Sequence, residues 1–172
     1  GPSYRFYSKE LKPIPYDPEK AKFYLKKAGL SELAVKLSAA DAAFAGAVDA
    51  AVLYKEYAAK AGINIEVVRE SNDGYWSSVW LKKPWCACYW GGYATEDLMF
   101  STGYSAGAAW NDTHWKNAQF NKLLVLARAE LDEAKCREMC AEMQCILRDE
   151  GGAIVPMFAK VVDARTGTVN HG

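Results

Sequence analysis

The sequence predicts an α/β fold in which helices pack on a mixed sheet, because helical and strand patterns alternate along its 172 residues. Two segments indicate this most clearly. Residues 16–30 place apolar side chains at helical spacing behind helix-start signals, and residues 63–70 alternate apolar and polar side chains as a strand does. The hydrophobic content of 51% and charged content of 24% are typical of a globular chain with a core.

The first half of the chain opens with a well-marked helix over 17–29. Asp17 is the predicted N-cap, Pro18 suits the first helical position, and Gly29 ends the helix. The elements predicted after it are a strand over 33–39, an Ala-rich helix over 41–61, a strand over 63–70 and a short helix over 73–83.

The second half begins with WCACYWGGYATEDLMF at 85–100, which is predicted to start as a short strand and to end in a helical turn over 96–101. Residues 102–112 are rich in Gly and Ala and predict a loop. The remaining predicted elements are helices over 117–130 and 132–149 and strand-like segments over 153–165, of which 153–158 is expected to join the sheet.

The charge pattern argues against several function classes. The chain has 21 basic and 21 acidic residues and no basic run, so neither nucleic acid nor an anionic membrane is an expected partner. No apolar run reaches the roughly 20 residues of a membrane span. There is no G-x-S-x-G, no H-E-x-x-H and no phosphate-binding Gly loop, and His114 and His171 are the only histidines. We therefore do not expect an enzyme.

Five cysteines, at 86, 88, 136, 140 and 145, lack the spacing of a structural zinc site. On a helix, Cys136 and Cys140 share a stripe with Met143 and Leu147, so their thiols are predicted to be buried and unpaired in the core. Cys145 lies nearly opposite that stripe, so the three thiols cannot converge on one metal. No metal or cofactor is expected, and a disulfide is the alternative to purely structural thiols.

Four stretches, in order, resemble the C-terminal lobe of the dipeptide- and oligopeptide-binding (family 5) substrate-binding proteins of ABC importers. They are YDPEKAKFYLKKAGL at 16–30, YKEYAAKAGINIEVV at 54–68, FNKLLVLARAELDEAKCREMCAEMQCILRDEG at 120–151 and GAIVPMF at 152–158. The resemblance implies a single lobe of a periplasmic-binding-protein-like fold over 16–165. It leaves 1–15 as a tag scar and connecting segment and 166–172 as a tail.

The resemblance also implies that YWGGYATEDLMF and the loop ending in WND line one wall of the ligand cleft. The candidate ligand-binding residues are Trp90, Gly92, Tyr93, Asp97, Trp110 and Asn111. The Gly pair allows close approach to the backbone, the aromatic rings offer flat walls, and the Asn amide offers a donor and an acceptor. The structural alternatives are core aromatics for both tryptophans, a helix-start carboxylate for Asp97 and a simple turn for the Gly pair.

The implied function is binding of a small polar solute or peptide by a periplasmic protein that docks to the membrane subunits of an ABC importer. The segment GGYA departs from the family because it lacks the charge that peptide-binding members carry nearby, which is expected to weaken or redirect binding. The alternative is an excised or redesigned lobe that folds alone without ligand binding. An exposed cleft face also suggests a homodimer through that face.

Overall fold

The computed structural model describes residues 4–159, 164 and 166. The helices and strands among them are α1 (Pro18–Lys27), β1 (Leu33–Ala39), α2 (Ala47–Ala59), β2 (Ile63–Arg69), α3 (Tyr75–Ser78), α4 (Glu96–Met99), a π-helical segment (Phe100–Tyr104), α5 (Ala118–Ala129) and α6 (Glu133–Glu150). The alternation of helices and strands confirms the predicted α/β class.

The sheet is parallel rather than mixed. β1 and β2 pair in parallel from Leu33 opposite Ile63 to Ala39 opposite Arg69, and α2 forms the crossover between them. On the other edge of β1, Ser38 donates its N–H to the Trp85 carbonyl at 3.1 Å and accepts from the Ala87 N–H at 2.9 Å. The stretch from 85 therefore touches the sheet through one short bridge before it leaves as a loop.

The expectation that 153–158 joins the sheet is wrong, as is the strand-like prediction for 153–159. These residues are irregular and exposed, and Phe158 keeps 65% of its surface accessible. Pro156 has no N–H to donate to a neighbouring strand, which weakens any ladder at this point. The rest of the predicted segment, 160–163 and 165, lies outside the described residues.

The two long helices of the first half begin differently. Asp17 caps α1 as predicted by accepting a hydrogen bond from the Lys20 N–H at 2.9 Å. The second helix, predicted over 41–61, begins only at Ala47. Gly46 has a left-handed backbone with φ of 80°, which a right-handed helix cannot include, so the residues before it form turns.

The buried side chains of the described residues form three clusters. One of them includes buried residues of both strands. Another lies beyond the end of β1 and includes Tyr75, whose hydroxyl donates to the carbonyls of Ala87 at 2.6 Å and Ser38 at 3.3 Å. The third cluster fills the space between the π-helical segment, α5 and α6; its buried members are Phe100, Tyr104, Phe120, Leu123, Leu124, Cys140 and Met143. We call this third group the helical core.

The cysteine predictions are met in part. None of the five cysteines forms a disulfide, and Cys140 is buried in the helical core beside Met143. The prediction that Cys136 is equally buried is wrong, since its side chain is half-buried. Its thiol donates to the carbonyls of Ala127 and Glu130 at 3.5 and 3.4 Å, because it lies at the first turn of α6, where the chain turns back toward α5.

Part of the segment predicted as a tag scar and connection, residues 5–8, packs against α6. The Gln144 amide donates to the Phe6 carbonyl at 2.8 Å and accepts from the Ser8 N–H at 3.1 Å. Arg137 donates to the Arg5 carbonyl at 3.0 Å, and both guanidinium groups lie 5.2 Å from the Phe6 ring centroid. These contacts hold residues 5–8 against α6.

Candidate ligand-binding surface

The Gly pair of the loop after residue 88 leaves its backbone open. A side-chain carbon placed on Gly91 would meet no atom within 4 Å, and one on Gly92 would meet only the Tyr4 hydroxyl at 3.8 Å. That same hydroxyl accepts a hydrogen bond from the Tyr93 N–H at 2.9 Å and so fixes the end of the loop. A ligand can approach the peptide groups of this loop without meeting side chains.

Three tryptophans from three different segments meet beside this loop. The ring centroid of Trp80 lies 6.3 Å from that of Trp90 and 6.3 Å from that of Trp110, and the last two are 6.4 Å apart. The Tyr93 ring adjoins Trp90, with centroids separated by 6.4 Å. We call Trp80, Trp90 and Trp110 the indole cluster.

Asp112 organises the indole cluster through one carboxylate oxygen. Its Oδ2 accepts hydrogen bonds from the indole Nε1–H of Trp80 at 2.9 Å and of Trp90 at 3.2 Å. It also accepts from the Cys88 thiol at 3.6 Å. An ionised acceptor makes stronger hydrogen bonds than a neutral one, so this single residue fixes the orientation of two indoles.

Burial and the charge of Asp112 raise the pKa of two neighbouring thiols and of one tyrosine hydroxyl. Burial is the larger cause and the nearby carboxylate the second; together they raise the pKa of the Cys88 thiol to about 12 and that of the Tyr104 hydroxyl to about 12. The same two causes raise the pKa of Cys86. Burial and the nearby carboxylate therefore both favour the protonated form of these three groups.

Asp97 is committed to an ion pair. Its two carboxylate oxygens accept from Arg128 Nε at 2.6 Å and Nη2 at 3.1 Å, which joins α4 to α5. It lies in the first turn of α4, whose N-cap is Thr95 as predicted, with the threonine hydroxyl accepting from the Leu98 N–H at 3.3 Å. The carboxylate thus has a local structural role in this structure.

Asn111 is buried, with 5% of its surface accessible, and uses its amide within the loop. The amide nitrogen donates to the carbonyls of Ser105 at 3.2 Å and Trp115 at 2.7 Å. The amide oxygen accepts from the Thr113 hydroxyl at 3.1 Å. These bonds hold the loop that presents Trp110 and Asp112.

Trp110 is exposed, with 51% of its surface accessible. It forms one side of an open depression of about 380 Å³, whose other lining residues are Ser101, Thr102, Ala108 and Ala109. The Ser101 hydroxyl is engaged by the Asp97 carbonyl and by Arg128, so small side chains and the Thr102 hydroxyl are what the depression offers a ligand beside the large ring.

The structure brings together four of the six candidates: Trp90, Gly92, Tyr93 and Trp110. Asp97 uses its carboxylate in an exposed ion pair with Arg128, and Asn111 uses its buried amide within the loop. Sequence reasoning missed Trp80 and Asp112. The available signals were the i,i+4 spacing of Trp76 and Trp80 on a predicted helix and the acidic residue ending WND.

Two further observations concern the described residues as a whole. Residues 4–159, 164 and 166 contain no group of three or more His, Cys, Asp or Glu side chains placed to hold a metal ion. Within the same residues, the helices are all too short or too polar to cross a membrane.

Comparison with known proteins gives similarity in structure only: no protein-family model and no curated protein matches the chain. The periplasmic binding protein DppA of Helicobacter pylori, associated with an ABC transporter and solved with the peptide STSA, has a TM-score of 0.74 at 22% identity; the match covers 88% of this chain and 31% of that one. The chain has the fold of one lobe of such a binding protein.

Two other solved structures give the same result. A putative peptide-binding protein, AppA of Clostridium difficile, matches with a TM-score of 0.73 at 23% identity over 88% of this chain and 32% of its own. NikZ of Campylobacter jejuni, solved with Ni(L-His), matches with a TM-score of 0.72 at 18% identity over 83% and 32%. The chain thus spans about a third of their length. The predicted resemblance is confirmed at the level of the fold.

Proposed function

We propose that this chain is a lobe of an ABC-transporter substrate-binding protein, and that the loops over 89–95 and 105–112 form one wall of its ligand cleft. The observation that carries the proposal is the exposed ring of Trp110 beside the open backbone of Gly91 and Gly92. The exposed ring offers a flat apolar contact surface, and the open glycines admit a ligand to the peptide groups.

The ligand class follows from the surface and from what similar proteins hold. A peptide or small polar solute offers apolar groups for Trp110 and Tyr93 and a polar group for the hydroxyl of Thr102. The Ser101 hydroxyl already donates to the Asp97 carbonyl and accepts from Arg128. In this proposal Trp90, Gly92, Tyr93 and Trp110 face the ligand. Asp97 and Asn111 act by holding the two loops, through the contacts to Arg128 and to the loop carbonyls.

The cellular role extends the same proposal. The full protein acts in the periplasm, closes a second lobe over the ligand and docks to the membrane subunits of an importer. The alternative, a lobe that folds alone and binds nothing, is favoured by one observation. The loop over 91–94 has no charged side chain, and the nearest candidate carboxylate, Asp97, is already paired.

Titration calorimetry with pooled dipeptides and tetrapeptides tests the proposal. We expect the chain to bind the pool weakly, and Trp110→Ala to reduce the affinity at least about tenfold because a flat contact wall is lost. Tyr57→Ala is the matched control, since Tyr57 is an exposed aromatic residue on α2. Equal affinity for all three chains would contradict the proposed wall, and no binding at millimolar peptide would support the non-binding alternative.

The same face is where we propose that a second copy of the chain packs in the absence of the other lobe. Self-association would cover Trp110 and the half-buried Tyr93. Tyr93→Asp places a charge in that contact and is expected to shift the mass measured by light scattering toward the monomer, whereas Tyr24→Asp on α1 is not. A monomer mass for the unaltered chain would rule the dimer out.

A further inference from the structure

A partly enclosed cavity of about 70 Å³ lies at the edge of the helical core, between α4, α5 and α6. Three of its lining residues carry sulfur, namely Cys136, Cys140 and Met143. Protein cores contain few voids larger than a water molecule, and a water needs about 10–15 Å³ of such space. The cavity therefore has room for a bare metal ion beside its sulfur-bearing side chains.

The three sulfur-bearing residues lie on one face of α6. Cys136 and Cys140 are four residues apart and Cys140 and Met143 three apart, and both spacings place Cβ atoms about 5–6 Å from each other on a helix. The Cys136 Sγ lies 3.5 Å from the Ala127 carbonyl oxygen in the last turn of α5. Cys140 and Met143 are buried in the helical core. All three side chains thus extend into the space between α5 and α6.

The two charged residues that line the cavity are paired with each other. The Asp97 carboxylate accepts from Arg128 Nε at 2.6 Å and Nη2 at 3.1 Å, and both side chains are about half exposed. The pair therefore lies at the side of the cavity that faces solvent, where an ion can enter. Because the carboxylate is bound by the guanidinium, the sulfur atoms are the better ligands in this cavity.

We propose that Cys136, Cys140 and Met143 bind a Cu(I) ion, at a site separate from the proposed ligand wall. Thiolate and thioether sulfur are soft ligands, which Cu(I) prefers. Structural zinc sites instead take four ligands from Cys, His and carboxylate side chains. Met143 supplies the third sulfur here, so the set contains only two side chains of those types.

Binding of the ion replaces the thiol protons. Burial is the main cause that raises the pKa of the Cys140 thiol to about 11, which favours the protonated form before a metal binds. A coordinating thiol is deprotonated by the metal, so two thiols release two protons to solvent as two Cu–S bonds form. The thioether of Met143 adds a third Cu–S bond without losing a proton. Copper stays Cu(I) throughout, so the step consumes no oxidant or reductant.

Competition for Cu(I) between the full chain and the coloured chelator bicinchoninate, in the absence of oxygen, tests this inference. We expect the chain to take up Cu(I), and Cys136→Ala to weaken the affinity at least about a hundredfold. Met143→Leu removes the thioether but nearly keeps the volume, and it should weaken the affinity about tenfold. Cys145→Ala is the matched control, because this half-buried thiol lies on the same helix but does not line the cavity, and it should keep the affinity.

Failure of the chain to compete with the chelator would overturn the three-sulfur site. Unchanged affinity in either Cys136→Ala or Met143→Leu would also overturn it, as would uptake that is lost only when Cys86 and Cys88 are replaced. Nuclear magnetic resonance of the unaltered chain keeps the test decisive if a variant fails to fold, because Cu(I) is diamagnetic. The methyl signal of Met143 should shift as Cu(I) is added, and a fixed signal would contradict the site.

Discussion

Replacing Phe120 with alanine is expected to lower the free energy of unfolding by about 3–5 kcal/mol, the largest effect of any substitution considered for this chain. Phe120 is fully buried in the helical core, where its ring makes edge contacts with Phe100 at 5.5 Å and Trp115 at 5.1 Å between centroids. Truncation removes these contacts and leaves a cavity that three surrounding segments cannot close without moving.

Denaturant unfolding followed by circular dichroism measures this effect as a shift of the midpoint at constant slope. Val125→Ala is the matched control, because Val125 lies on the same helix with 65% of its surface accessible and is expected to change stability by less than about 0.5 kcal/mol. A loss below about 1 kcal/mol for Phe120→Ala would show that the helical core does not hold the domain together.

Replacing Asp112 with alanine is expected to cost about 2–4 kcal/mol, because one carboxylate oxygen satisfies the N–H groups of two half-buried indoles. The loops that carry Trp90 and Trp110 should then no longer be held in a fixed position relative to each other. The near-ultraviolet circular dichroism of the indoles should therefore weaken as well. Removal of the acceptor leaves both donors partly out of reach of water, which is costlier than losing an exposed hydrogen bond.

Asp73→Ala provides the control for this substitution, since Asp73 is exposed in the turn before α3 and its loss should be nearly neutral. An Asp112→Ala protein with unchanged stability and unchanged near-ultraviolet dichroism would mean that the carboxylate does not organise the indole cluster. Asp112→Asn should be intermediate, because its amide oxygen can still accept from one or both indoles.

Local signals in the sequence predicted the elements whose ends depend on neighbouring residues. Asp17 caps α1 and Thr95 caps α4, and both bonds join residues only three positions apart. The periodicity of β1 and β2 also sufficed, because strands with alternating burial pair side by side. In each case the deciding contact is short-range or repeats regularly along the chain.

One failure arises where contacts between distant residues decide the outcome, and two others arise from the local course of the chain. Asp112 joins Trp80 across 32 residues and Trp90 across 22, so no local pattern shows that the three meet. Asn111 offers the same groups to a ligand or to its own loop, and only the fold shows that Ser105 and Trp115 take them. The apolar pattern of 153–158 predicts a strand. In the structure these residues are exposed and irregular, and Pro156 has no N–H for a strand ladder.

Nuclear magnetic resonance of the six tryptophan indole N–H groups tests the proposed ligand wall most directly. During titration of the isotope-labelled chain with pooled peptides, the signals of Trp90 and Trp110 should shift with peptide concentration, and that of Trp80, whose ring adjoins both, should shift with them. Trp85 and Trp115, which pack against the sheet and the helical core, should not respond. Indole signals that stay fixed throughout the titration, or shifts confined to Trp85 and Trp115, would contradict the proposed ligand wall.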